Sequence, residues 1–230
     1  MTRTYAQIGA ASGAVCVVSV MVGNGLALAG WSGETDGASV LTDLQRDLSA
    51  VNIIGLSLEL LGWAALVMFL GFFYRVLQRA EEPDGWLAPV ALGSGLIMVS
   101  IKLASIVPIM AAWNRRDDLT LATAQTLSDL GGAAFIVSGW ATGLLVAAGA
   151  GSALVSGVLP RWLGSFGIVS GVATLVAGTA GVVDPASYVP LPFLGALGWL
   201  LVTSVVLTVR ASRGPAPTAQ PVATGVAARQ

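Results

Sequence analysis

Apolar residues fall along this chain in six long blocks separated by short polar connections, at about 5–30, 51–74, 87–112, 127–149, 162–182 and 192–209. Within each block the apolar character is nearly continuous. It follows neither the alternation of a half-buried strand nor the single stripe of an amphipathic helix. A hydrocarbon core of about 30 Å is crossed by about 20 helical residues. Each block therefore predicts a membrane-spanning helix. The expected fold is all-α, a transmembrane bundle of six spans forming one domain over residues 1–210.

The polar punctuation refines this picture. Arg3 and the Ala27-Leu28-Ala29 triplet before Gly30 also fit a cleaved signal peptide, but the apolar run exceeds a signal h-region, so retention as a span is expected. In the connection at 31–50, Leu41, Leu44 and Leu48 recur at helical spacing among Glu34, Asp36, Asp43 and Asp47. That pattern fits a short helix on the membrane surface as well as it fits an acidic solvated loop. Gly55, Gly62 and Gly71 mark close-approach points in the second span, and Gly167 and Gly171 have small-xxx-small spacing in the fifth. Pro108 should kink the third span, and Trp86 and Trp113 should mark its two interfaces. Residues 211–230, rich in Pro, Ala and Thr, predict a disordered cytoplasmic tail.

Composition agrees with the pattern and narrows the chemistry. Hydrophobic residues make up 55% of the chain and charged residues 10%, and the mean hydropathy is +0.82. A net charge of −1 without a basic stripe outside the spans argues against a nucleic-acid partner. One cysteine, Cys16, allows neither an intrachain disulfide nor a thiolate cluster, and the absence of histidine removes His-ligated haem, zinc and His general bases. No metal and no cofactor are expected. The partner the composition demands is the lipid bilayer.

Basic residues set the orientation. Counted by alternate sides, Arg3, Arg75, Arg79, Arg161, Arg210, Arg213 and Arg229 fall on one side, against Arg46, Arg115 and Arg116 on the other. The positive-inside rule then puts both termini in the cytoplasm and the protein in the bacterial cytoplasmic membrane.

Candidate chemistry lies inside the spans. A charge at the bilayer centre costs about 2.5–3.5 kcal/mol on insertion scales and is retained where it faces a bundle interior or a cavity. Glu59 lies about 12 Å below one face counted from Val51, and Lys102 about 22 Å above the opposite face counted from Leu87, so the two meet in one half of the membrane. Asn24 and Asp129 fall in the same outer half on two further helices. The expected site is an outer-half polar pocket in which Glu59 pairs with Lys102. Asp129 and Asn24 add hydrogen bonds, and Trp63 and Trp140 serve as walls around a small or lipid-like ligand. Two other readings stand beside it. Glu59 and Lys102 alone make a structural ion pair fixing helix register, or Glu59 and Asp129 act as acid and base of a membrane-embedded enzyme. The enzyme reading is the less favoured, since no spacing requires it.

The run Ser156-Gly157-Val158-Leu159-Pro160-Arg161-Trp162-Leu163-Gly164-Ser165-Phe166-Gly167, with Leu58-Glu59-Leu60 and Ser128-Asp129 followed by Phe135 and Gly139, resembles domain-of-unknown-function family 4386. The resemblance covers nearly the whole chain and implies a bacterial six-span membrane protein with acids at Glu59 and Asp129. It also implies departures. Ser128 stands where the family often has histidine, and Gly195, Ala196 and Gly198 occupy the stretch where it tends to have glutamate. No activity comes with the resemblance.

Overall fold

The computed structural model describes residues 3–33 and 36–213. Glu34, Arg229 and the tail at 214–230 lie outside the described residues, whereas 211–213 belong to the last helix. The described residues contain helices and no strand. Six helical segments are long and apolar enough to cross a membrane: α1 (Arg3–Ala27), α3 (Ala50–Gln78), the joined pair α4 (Leu87–Ala104) and α5 (Ile106–Asn114), α6 (Leu121–Val155), α7 (Arg161–Val183) and α8 (Leu191–Arg213). The chain is an all-α, multi-pass membrane bundle. Apolar side chains such as Ile53, Leu61, Met68, Ile97 and Val176 project from its outer surface, as helices facing hydrocarbon require.

The spans close into a ring. Helix α1 packs on α3 and α8, α3 on α4, α4 on α6, α6 on α7, and α7 on α8, with α6 also touching α8 across the ring. Helix α6 is the most central, with 61% of its most apolar stretch buried against 33–44% in the others. The core joins Phe69, Phe73 and Leu66 of α3, Leu145 and Val146 of α6, and Trp199 and Leu200 of α8. Phe69 and Phe73 stack with centroids 5.3 Å apart, and Phe73 meets Trp199 edge-on at 6.0 Å. The Trp199 indole N–H donates to the Leu163 carbonyl at 3.0 Å, satisfying its polar end inside the core.

Small residues set how closely the ring draws together. A Cβ at Gly55 would lie 2.2 Å from the Ala27 nitrogen and one at Gly23 2.7 Å from the Gly55 carbonyl, so the α1 and α3 backbones touch at this crossing. Gly143 and Gly171 do the same for α6 and α7, and Gly167 leaves room for the Trp199 ring. Gly71 differs from the expected close approach: nothing lies within 4 Å of its Cβ position, so it faces outward.

Ends and breaks follow local chemistry. Asn52 closes a capping box with Ser49 at the start of α3, and its side-chain amide donates to the carbonyls of Leu26 (3.3 Å), Ala27 (3.0 Å) and Ala29 (3.0 Å). One buried side chain thus caps the end of α1 and the beginning of α3. The third span breaks at Ser105, three residues before Pro108, because proline supplies no N–H to the preceding turn and its ring crowds that turn's carbonyl.

Helix α2 (Gly37–Gln45) occupies the connection after α1, with Asp36 accepting from the Ala38 and Ser39 amides at its start. Val40 and Leu44 are buried against Ala112 and Ala124 of α5 and α6. The apolar face read as a membrane-surface stripe is therefore largely spent on the bundle. Asp43 accepts from the Ser32 amide and hydroxyl at 2.9 and 2.7 Å, tying the end of α1 to α2. An exposed ion pair joins Arg116 to Asp47 on the same side.

Candidate functional site

Beneath the α2 side of the ring the helices leave a cavity of about 310 Å³, lined from α1, α3, α4, α5, α6 and α8. That volume is at the lower end of the range for small-molecule sites, about 300–1,000 Å³. Its walls are mostly apolar. The polar groups reaching it are few and come from different helices: Asn24 of α1, Glu59 of α3, Lys102 at the end of α4, and Ser105 at the break.

Lys102 is brought here by the interrupted span. It sits in the last turn of α4, where a cation complements the carbonyl end of the helix dipole. Only 7% of its surface is accessible. Its ammonium nitrogen lies 3.7 Å from the centroid of the Phe135 ring of α6 and 5.4 Å from that of Phe193 of α8. The two rings meet edge-on at 5.4 Å. The expected contact pair with Glu59 is not made: among the described residues the ion pair in direct contact is Arg116 with Asp47. Glu59 and Lys102 still act on one another electrostatically across the cavity. Aromatic faces rather than a carboxylate surround the cation, an arrangement worth about 2 kcal/mol when desolvated.

Two indoles complete the polar lining. Trp63 stands one turn from Glu59 on α3, with 1% of its surface accessible. Trp113 closes α5 on the same cavity. Neither indole N–H has a hydrogen-bond partner within the protein, although Trp63 is directed to Glu59 closely enough to act on it. Buried donors are almost always satisfied; Trp63 has the Glu59 carboxyl beside it, whereas the Trp113 indole and an ammonium without an anion in contact leave room for an acceptor from outside the chain. Trp113, at the end of the third span, is half-buried and borders the cavity.

Of the six predicted residues the structure brings Asn24, Glu59, Trp63 and Lys102 to one cavity and leaves two out. Asp129 is exposed on α6 and accepts from Gln125 at 2.9 Å. Trp140 is 46% exposed on the same helix. At 3.6 residues per turn, Asp129 projects about 120° and Trp140 about 140° from Phe135, which faces the cavity. An acid–base pair of Glu59 and Asp129 is therefore not assembled. The aromatic partners Phe135 and Phe193 were not read as site residues. The available signal was the spacing of Ser128, Gly131, Gly132 and Phe135 on α6, an i, i+3, i+4, i+7 face.

Fold and cavity together define the class: a six-span membrane bundle with an internal, mainly apolar chamber carrying a few convergent polar groups. Models of known protein families, curated proteins and solved structures yield no match to this chain.

Proposed function

We propose that this multi-pass protein binds, or passes between leaflet and aqueous side, a small or lipid-like ligand in the cavity around Lys102. The observation that carries the reading is the presence in that cavity of a buried ammonium without an anion in contact and of the Trp113 indole N–H without an acceptor. Such a set favours a ligand with a hydrogen-bond-accepting head and an apolar body. The likeness to family 4386 offers no activity to borrow, so the reading rests on the cavity.

The proposed setting is the bacterial cytoplasmic membrane with both termini inside, which puts the cavity in the outer half of the bilayer. The basic residues of the described chain support it. Arg3 reaches the Ser212 carbonyl and Arg210 the Val158 carbonyl on one side, whereas Arg46, Arg115 and Arg116 lie on the α2 side. A reporter fused after residue 213 tests this, active only in the cytoplasmic form if the orientation holds.

Native mass spectrometry of the gently solubilised protein tests the function. The expected result is a copurifying small or lipid-like molecule that is lost from Lys102→Met protein. A protein free of ligand, or one retaining the same molecule after that substitution, overturns the reading.

A further inference from the structure

A second chamber, of about 440 Å³, lies between α2 and α6. Leu28, Trp31 and Ile109 line both chambers, so the two share one wall. The two chambers differ in chemistry. The first holds Glu59, Lys102 and the indoles of Trp63 and Trp113. The second is floored by Gly131 and Gly132 and roofed by Val40 and Leu44, and its Asp43 is already engaged by Ser32. Gly131 and Gly132 have nothing within 4 Å of their Cβ positions, so the floor is open space that side chains have not filled. Ser128, Gly131, Gly132 and Phe135 share one face of α6, which runs continuously from the second chamber to the aromatic pair under Lys102.

Resting on the reading of the first cavity as a ligand site, we infer that the ligand is a single-chain amphiphile. Its head lies between Glu59 and Lys102, and its chain passes the Leu28, Trp31 and Ile109 wall into the chamber beneath α2. The head site holds a cation and an acid that do not touch, which suits a head that both accepts and donates hydrogen bonds. Lys102 donates to a carbonyl oxygen, and Glu59 accepts from a hydroxyl. A long-chain carboxylic acid and a monoacylglycerol both carry this carbonyl and hydroxyl pair. The apolar chain follows from a second chamber lined by Leu28, Trp31, Val40, Leu44, Ile109 and Leu127, with Asp43 engaged by Ser32.

The test is equilibrium binding of tritiated probes to the full chain in nanodiscs, with empty nanodiscs as background. The probes are hexadecanoic acid, decanoic acid, monopalmitoylglycerol and hexadecane. At least one sixteen-carbon head-bearing probe should bind above background, and hexadecane should not; the better binder of the two identifies the head. Gly131→Leu and Gly132→Leu should each weaken that probe by about tenfold or more while changing decanoic acid by less than about twofold. Retained decanoic acid binding also reports that these variants are folded. If both leucine variants bind the long probe as the parent does, while Lys102→Met does not bind it, the tail chamber is wrong and the head site stands. If no head-bearing probe binds above empty nanodiscs, the ligand-site reading fails and this inference with it.

Discussion

The ammonium of Lys102 rests 3.7 Å from the centroid of the Phe135 ring, on the helix packed beside its own. An aromatic face attracts a cation without neutralising it, so the positive charge remains available to a third party. Glu59 faces the same cavity and does not close on it.

Replacing Lys102 should therefore cost little stability. Lys102→Met is expected to leave the thermal midpoint unchanged or raised, because it removes a buried charge that has no anion in contact. In a cycle with Glu59→Gln the coupling should stay below about 1 kcal/mol. A coupling of about 3–5 kcal/mol, the range for breaking a buried pair, would restore the structural ion-pair reading. Phe135→Leu should lower the midpoint, as the cation loses its ring.

Two glycines on one helix should respond in opposite directions. Gly55→Ala puts a methyl 2.2 Å from the Ala27 nitrogen and should destabilise by about 1–3 kcal/mol through forced separation of α1 and α3. Gly71→Ala meets nothing within 4 Å and should stabilise by about 0.5–1 kcal/mol. Thermal unfolding in detergent reads both. Shifts of the same sign would mean that the α1–α3 crossing is looser than described.

Asn52 is 4% exposed and holds three carbonyls at the end of α1. Asn52→Leu keeps its bulk but strands those acceptors, and the expected loss is about 1–3 kcal/mol. Hydrogen exchange should quicken at residues 24–31 and 49–55 together, since one side chain serves both helix ends. Faster exchange at only one end would contradict the shared cap.

Low pH should loosen α2 before the spans. The Asp36 carboxyl is held below its ordinary value of 3.8, first by the Ser39 side chain and then by the Ser39 amide, with the Ala38 amide adding to it. A depressed carboxyl contributes stability that is present above the ordinary value and lost as pH falls through the lower one. Exchange at residues 37–45 should thus accelerate below about pH 4 in the parent protein. Asp36→Ala should exchange fast at neutral pH and show no such acid step.

Much of the fold was legible because crossing a bilayer is a property of local sequence. The blocks at 51–74 and 162–182 correspond to α3 and α7 within a few residues, set by continuous apolarity. The block at 127–149 undershoots α6 at both ends, since Leu121 and Val155 extend a helix that capping and packing sustain beyond the apolar run. Gly157, at φ +69, then ends it in the left-handed region.

Depth was likewise readable. A fixed rise per residue placed Asn24, Glu59, Lys102 and Asp129 in one half of the membrane, and all but Asp129 line one cavity. The direction a side chain faces was not, because rotation about a helix axis is chosen by its neighbours. The contact of Gly23 with Gly55 turns Glu59 and Trp63 inward, and the packing of Gly178 against Trp140 leaves that indole outside. The break before Pro108 was legible from the proline, but that Trp113 beyond it reaches the cavity was not. Sequence alone determined how many times the chain crosses and which charges share a height; only the packed bundle decided which of them face each other, since that depends on residues far apart in the chain fitting against one another.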